Sequence, residues 1–378
     1  RVIIMSENNE IKEPLNKNYK VPKLRFKDFN YEWSNSTFGD IINVSNKKSK
    51  PNNEQVIDIE MDSIESGTGK LIKTYKSNEF SSIKNIFTSN DVLYGKLRPY
   101  LKKYFKPHFS GLCSSEFWVL SSVKICQDFL YHFVSTEYFN SETNKTCGTK
   151  MPRADWKKIS KLDIYYPNLN EQHKISCFLD QIDRKINVIC SKIATLKKYK
   201  EGLIKKLIKS SNKVMKLSQL ITVCEKTKLQ SSYGKIYGKY KFFINSSDEI
   251  TKWSDDYIFD GEYLILNTGG TAFTNYVNGK FSAMSDCLVV KPNSEYSITI
   301  YYWLKAVEKW INEVGFQGTG LKHLDINWLL RQKVKIIEYD NKKLSNFNKE
   351  LNALIELNSL VLEKLKLIKN IFLNLMFI

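Results

Sequence analysis

The chain has 378 residues, is 42% apolar and 13% aromatic, and carries a formal charge of +18 from 58 Lys and Arg against 40 Asp and Glu. That length and apolar content give two or three domains with ample cores. The charge favours a polyanionic partner, nucleic acid first and an anionic membrane second, with a lysine-rich surface from an AT-rich genome as the bland alternative.

No stretch reaches about 18 uncharged apolar residues, which excludes a membrane-spanning helix. The 7 cysteines are scattered without a C-x-x-C pair, which argues against zinc and for a reduced, cytosolic protein. Arg1-Val2-Ile3-Ile4 is too short for a signal peptide, and Met5 reads as the natural start.

Residues 5–20 are polar and predict a loosely ordered tail. Phe38–Val44 predicts a short strand or helix, followed by a basic loop at Lys47-Lys48-Ser49-Lys50-Pro51. Between Gln55 and Val123 strands are predicted at Val56–Met61, Leu71–Tyr75, Val92–Tyr94 and Phe117–Leu120. The run Tyr94-Gly95-Lys96-Leu97-Arg98-Pro99-Tyr100-Leu101-Lys102-Lys103-Tyr104 alternates basic and aromatic residues. Cations neutralise phosphates and rings stack on bases, so this composition suits a nucleic-acid contact; a solvated edge strand is the plain alternative. Asp128–Phe139 has helical spacing.

From Glu171 to Lys209 apolar residues fall at Ile175, Leu179, Ile182, Ile186, Ile189, Ile193, Leu196, Leu203 and Leu207, with Lys200 as the polar member. This heptad stripe predicts a coiled-coil helix of roughly 55–60 Å. Further strands are predicted at Tyr240–Ile244, Tyr263–Leu266 and Cys287–Lys291, and a helix at Ile298–Asn312. The loop Asn267-Thr268-Gly269-Gly270-Thr271 is small enough to press its backbone on a ligand.

The heptad stripe then recurs at Phe347, Leu351, Leu354, Asn358, Val361, Leu365, Ile368, Phe372 and Leu375. Upstream, Lys161-Leu162-Asp163-Ile164 resembles Lys333-Val334-Lys335-Ile336. Gly148-Thr149-Lys150-Met151 resembles Gly318-Thr319-Gly320-Leu321, and Phe38–Ile42 resembles Leu217–Ile221. The chain therefore reads as one unit used twice, a globular piece of about 130–150 residues and then a long helix.

Catalytic motifs are not visible. The 4 histidines (His108, His132, His173, His323) are dispersed and form no metal or triad pattern. Ser66-Gly67-Thr68-Gly69-Lys70-Leu71 lacks the first glycine and the Ser or Thr of a P-loop. Gly269-Gly270 is not a dinucleotide fingerprint, and no Asn/Asp-Pro-Pro-aromatic stretch marks an adenine methylase.

The whole pattern resembles the specificity subunit of type I restriction-modification enzymes. The resemblance rests on Val21-Pro22-Lys23-Leu24-Arg25-Phe26 with Trp33, on Asp91–Tyr100, on Ser114-Ser115-Glu116-Phe117-Trp118-Val119-Leu120, and on Glu171-Gln172-His173-Lys174-Ile175. The second helix, opening Asp340-Asn341-Lys342-Lys343-Leu344, departs from that last motif.

The resemblance implies an α+β fold: two mixed α/β target-recognition domains joined by two long antiparallel coiled-coil helices, with an internal pseudo-twofold repeat. The expected boundaries are a flexible segment at 1–20, domains at 21–167 and 212–338, and helices at 168–211 and 339–378. It implies a non-catalytic bacterial, cytoplasmic subunit that reads double-stranded DNA and carries no cofactor. Two methyltransferase subunits would bring S-adenosylmethionine, and two motor-nuclease subunits ATP and Mg2+. DNA-mimicking anti-restriction proteins would compete for its basic grooves. A coiled-coil protein adaptor is the rival reading.

Two different domains imply a split, asymmetric target, with half-site centres ~34 Å apart. Composition and loop position put the first domain's contacts at Lys47, Lys48, Lys50, Tyr94, Lys96, Arg98, Tyr100, Lys102, Lys103, Lys150 and Arg153. The second domain's are Asn267, Thr268, Gly269, Thr271, Lys280, Gln317, Thr319, Lys322 and His323. Arg98 and Arg153 are the candidates for bidentate reading of guanine, and the lysines for phosphate contact.

Overall fold

A computed structural model describes residues 2–4, 21–49, 56–76, 82–145, 151–210, 212–246, 252–320, 322–336 and 341–378. The expected tail at 5–20, the Gly148–Lys150 turn, Lys50 and Leu321 lie outside the described residues. The chain forms two compact units, Arg1–Cys190 with Leu360–Ile378, and Ser191–Ser359. The division falls within the two long helices.

In the first unit a four-stranded sheet runs in the order Tyr104–Phe105, Val92–Gly95, Phe117–Ser121, Asn43–Val44. A five-stranded sheet runs Lys48–Ser49, Lys84–Phe87, Gly111–Cys113, Ile57–Ile59, Tyr75–Lys76. The predicted helix at Asp128–Phe139 is two helices, Gln127–Ser135 and Glu137–Asn144. Thr136 breaks them with extended backbone and caps the second through its side chain to the Phe139 N–H. One core joins Phe38, Phe129, Phe133 and Phe139 to Ile175, Leu179 and Ile182 of the central helix.

The second unit has one six-stranded sheet, in the order Ile221–Val223, Cys287–Pro292, Phe259–Asn267, Thr274–Ala283, Tyr240–Phe243, Lys252–Ser254. The helix Ser297–Trp310 packs on it, with Ile300, Trp303 and Leu304 in the core.

The repeat is visible inside each unit. Ser34–Thr37 pairs with Asp163–Tyr166 in one, and Lys213–Lys216 with Lys333–Ile336 in the other. Asp155 caps the helix Trp156–Ile159 just as Asp325 caps Ile326–Leu330. These ribbons correct the sequence alignment by two residues: buried Ile164 corresponds to buried Val334, not to Ile336.

The central helix spans Leu169–Ser210 and the C-terminal helix Asn341–Met376. Within each unit their segments run antiparallel. Phe178 meets Phe372 and Asp183 meets Lys369 in the first unit; Lys200 meets Asn352, and Ile204 clusters with Leu344, in the second. On the central helix the stripe Ile175, Leu179, Ile182, Ile186, Ile189, Ile193, Leu196 and Leu203 is buried or half-buried, as are Lys200 and Leu207.

The C-terminal stripe needs a correction. Leu354, Val361 and Ile368 are exposed, at 38%, 37% and 40%, and Phe347 and Leu375 are only half-buried. The inward face is Leu344, Asn348, Leu351, Ile355, Asn358, Leu362, Leu365, Lys369, Phe372 and Met376. That face keeps the heptad steps and retains Leu351, Asn358, Leu365 and Phe372. Its polar members Asn348 and Lys369 made the neighbouring, more apolar stripe the stronger sequence signal. In this register Glu171-Gln172-His173-Lys174-Ile175-Ser176 corresponds to Asp340-Asn341-Lys342-Lys343-Leu344-Ser345, so the second helix carries a conservative version of the same opening.

Asn358 is buried and returns its amide to the Leu354 carbonyl at 2.6 Å. The apolar chain end packs on the first unit's core, with the Phe377 ring 4.8 Å from that of Phe129. No helix among the described residues is long and apolar enough to cross a membrane.

Candidate nucleic-acid interface

In the first unit three backbone segments meet. The Lys96 N–H donates to the Glu116 carbonyl (2.9 Å), the Arg98 N–H to Pro152 (2.8 Å), and the Ala154 N–H to Lys96 (2.9 Å). This frame brings Arg153 beside Lys96 and Arg98, more than 50 residues earlier in sequence. Arg98 is exposed with φ 49°, a left-handed backbone uncommon for a non-glycine residue. Arg153 is 45% exposed and lies side-on to Glu116, with Nε to Oε2 and Nη2 to Oε1 both 3.0 Å. The Nη1–Nη2 edge of the guanidinium is left facing outward from that pair.

The second unit builds the same frame. The Thr268 N–H donates to Asp286 (3.3 Å), the Gly270 N–H to Lys322 (3.2 Å), and the Leu324 N–H to Thr268 (2.8 Å). Lys96, Arg98, Glu116 and Arg153 thus correspond to Thr268, Gly270, Asp286 and His323. Gly270 has φ 76°, so the fold demands a left-handed residue here, and only the second unit meets the demand with glycine.

The remaining predicted contacts divide clearly. Lys47 and Lys48 are exposed, and Lys48 and Lys96 line a cavity of about 460 Å³ with Asn43, Asn46 and Asn85. Tyr100 is 55% exposed. Lys102 is tied to Glu137 at 2.6 Å.

Two assignments in the first unit are corrected by burial. Tyr94 is wholly buried, its hydroxyl bonded to Thr143 and Asn140, and burial raises its phenol far above the ordinary value. Lys103 turns inward and donates to the carbonyls of Met61 (2.5 Å) and Ile64 (2.8 Å); burial lowers its pKa. Lys150 lies outside the described residues.

In the second unit Thr268 and Gly269 are half-buried, and Thr271, Gln317, Thr319, Lys322 and His323 exposed. Gly269 bridges to His323, and Gln317 pairs with His323, so this group is brought together. Asn267 is a correction: it is buried, and its amide donates to the Ser246 carbonyl at 2.7 Å. Lys280 sits opposite Asp260, well along its strand from this group, and its ammonium lies 4.5 Å from the Tyr257 ring centre.

Sequence reasoning missed Glu116 and Asp286. The signal was present, since Ser115-Glu116-Phe117-Trp118-Val119 and Ser285-Asp286-Cys287-Leu288-Val289 occupy the same turn-to-strand position.

One metal-like cluster also escaped the sequence reading. His132, Asp180 and Asp183 converge in the first unit. The two carboxylates are already matched by ammonium groups, Lys106 on Asp180 (3.4 Å) and Lys369 on Asp183 (2.7 Å). Lys106 is shared with Asp128 at 2.6 Å, so the cluster is an ion-pair network joining the domain to the helices.

Comparison with known proteins agrees with this architecture. The profile of the type I restriction modification DNA specificity domain matches twice, at residues 30–198 and 209–367. The chain belongs to that family.

Among curated proteins it is similar to the specificity subunit of the type I restriction enzyme EcoDI of Escherichia coli, 27% identical over 202 residues, 50% of this chain and 44% of that protein. It is also similar to the MjaVIII specificity subunit of Methanocaldococcus jannaschii, 35% identical over 98 residues, 26% of this chain and 23% of that protein. The chain spans less than half the length of either relative.

The S subunit of a type I restriction-modification system from M. genitalium has the same fold, with TM-score 0.65 and 16% identity over 95% of this chain and 99% of that one. So does a chain from a structure of type I complex assembly and conformational transition, with TM-score 0.55, 16% identity, and 90% and 96% coverage.

Proposed function

We propose that this chain is the non-catalytic, DNA-reading subunit of a bacterial, cytoplasmic type I restriction-modification enzyme. Each unit reads one half of a bipartite, asymmetric target. The observation that carries this is the frame described above, built in both units and presenting different side chains in each. The shared backbone hydrogen-bond pattern supports equivalent docking on two half-sites, and the different side chains support different sequences.

The subunit positions two adenine-methyltransferase subunits and two motor-nuclease subunits. S-adenosylmethionine, ATP and Mg2+ belong to those partners. In the first unit Leu360, Val361, Leu367, Ile368 and Ile371 of the C-terminal helix are exposed, and such an apolar face suits a docked protein.

The test is co-expression with the neighbouring methyltransferase gene and genome-wide mapping of methylated adenine. A split motif, methylated only when both genes are present, supports the reading. An assembled complex that methylates nothing and binds DNA without sequence preference refutes it in favour of a protein adaptor.

A further inference from the structure

We propose that the acid–base pairs of positions on the repeated frame, Glu116 with Arg153 and Asp286 with His323, set the base read at the equivalent place in each half-site. This rests on the DNA-reading function above and adds the residues that give it specificity.

Glu116 is the positioning residue of the first unit. Both partners hang from one backbone stretch: Lys96 bonds the carbonyl of Glu116, Leu97 bridges to Arg153, and the Arg98 and Ala154 N–H groups close the frame on either side. Glu116 is anchored further, its N–H donating to the Ser114 hydroxyl at 3.4 Å. The side-on pair uses Nε and one Nη2 hydrogen of Arg153, fixing the guanidinium plane while its Nη1–Nη2 edge remains available. That edge matches O6 and N7 of guanine in the major groove. A held arginine loses less rotamer freedom on binding than a free one.

Glu116 is also a carboxylate on a cationic lip. It opposes phosphate attraction, which makes sense for a group that trades affinity for orientation.

The second unit places Asp286 and His323 at the same two frame positions. His323 is exposed and offers one or two ring donors, in a geometry unlike an arginine fork. The two half-sites should therefore differ at this position.

The experiment maps methylated adenine in the assembled complex carrying Arg153→Ala, Glu116→Gln, both changes, or Asp286→Glu with His323→Arg. Arg153→Ala and Glu116→Gln are expected to relax the same single position of one half-site, by about tenfold in discrimination. The double variant should be no more relaxed than Arg153→Ala alone. Glu116→Gln should also bind non-specific DNA more tightly at low salt, which a merely structural lesion would not do. Asp286→Glu with His323→Arg should move one position of the other half-site toward guanine.

An unchanged motif in Glu116→Gln, or relaxation at a different position from Arg153→Ala, overturns the proposal while the DNA-reading function stands. An unaltered complex that methylates no defined target overturns both.

Discussion

Arg25 and Glu171 form a two-pronged ion pair, Nε to Oε1 at 2.7 Å and Nη2 to Oε2 at 2.8 Å, across 146 residues of chain. Both side chains are buried. Next to it, Gln172 accepts from the Cys126 N–H and donates to the carbonyls of Lys124 and Pro167. The two sequence motifs holding these residues are therefore one fastening between the domain and its helix. Glu171→Ala leaves a buried guanidinium unpaired and should cost about 3–5 kcal/mol. Chemical unfolding measures it; a loss below about 1 kcal/mol would show that the pair is dispensable.

Lys369 and Lys200 occupy equivalent seam positions, and so do their partners Asp183 and Asn352. Burial lowers the pKa of Lys200, whose hydrogen-bonded partner is a neutral amide. Asn352→Asp should therefore stabilise the second unit by about 1 kcal/mol, and Asp183→Asn should weaken the first by a similar amount. Thermal unfolding of the two variants should shift in opposite directions. A shift of the same sign in both would contradict the pairing.

His132 is wholly buried, and burial pulls its pKa below the ordinary 6.5. Asp180 accepts from its Nε2 at 2.9 Å, with Asp183, Lys369 and Lys106 close by. Below that ordinary value the unfolded chain takes up a proton that the folded chain resists. The stability contributed by neutral His132 is thus full above about pH 6.5 and shrinks as pH falls below it. His132→Gln should flatten the stability–pH curve just below about pH 6.5. An unchanged slope would mean that other groups govern it.

Leu373 is 4% exposed and Ile368 40% exposed. Leu373→Ala should cost about 2–4 kcal/mol, whereas Ile368→Ala should cost under about 1 kcal/mol. If the exposed face carries a methyltransferase subunit, Ile368→Ala should weaken co-purification of that subunit without lowering the melting temperature. Equal destabilisation by both changes would restore the register read from the sequence.

Long elements were legible because a heptad stripe repeats many times, and the central helix matches its expected limits closely. The C-terminal register was not, because Asn348 and Lys369 put polar atoms on the inward face while leucines crowd the outer one. Several strands are only two to four residues long, among them Tyr75–Lys76 and Gly111–Cys113, too short for an alternating pattern to register. The basic–aromatic run was recognisable as a contact region only in part. The strand Val92–Gly95 is buried on both faces, with Val92 and Tyr94 in one core and Leu93 in another, so Tyr94 has no solvent side to face. Lys103 could be placed only by finding the carbonyls of Met61 and Ile64.

The repeated frame is fastened by main-chain bonds, and its side chains hang free of them. Exchanging Arg153 or His323 therefore removes no bond that holds the frame, and such surface changes usually move stability by less than about 0.5 kcal/mol. A duplicated gene could thus diverge at these positions one substitution at a time, each intermediate remaining folded. If these positions read bases as proposed, moving from one target preference to another takes a handful of codons while the main-chain bonds of the frame stay in place.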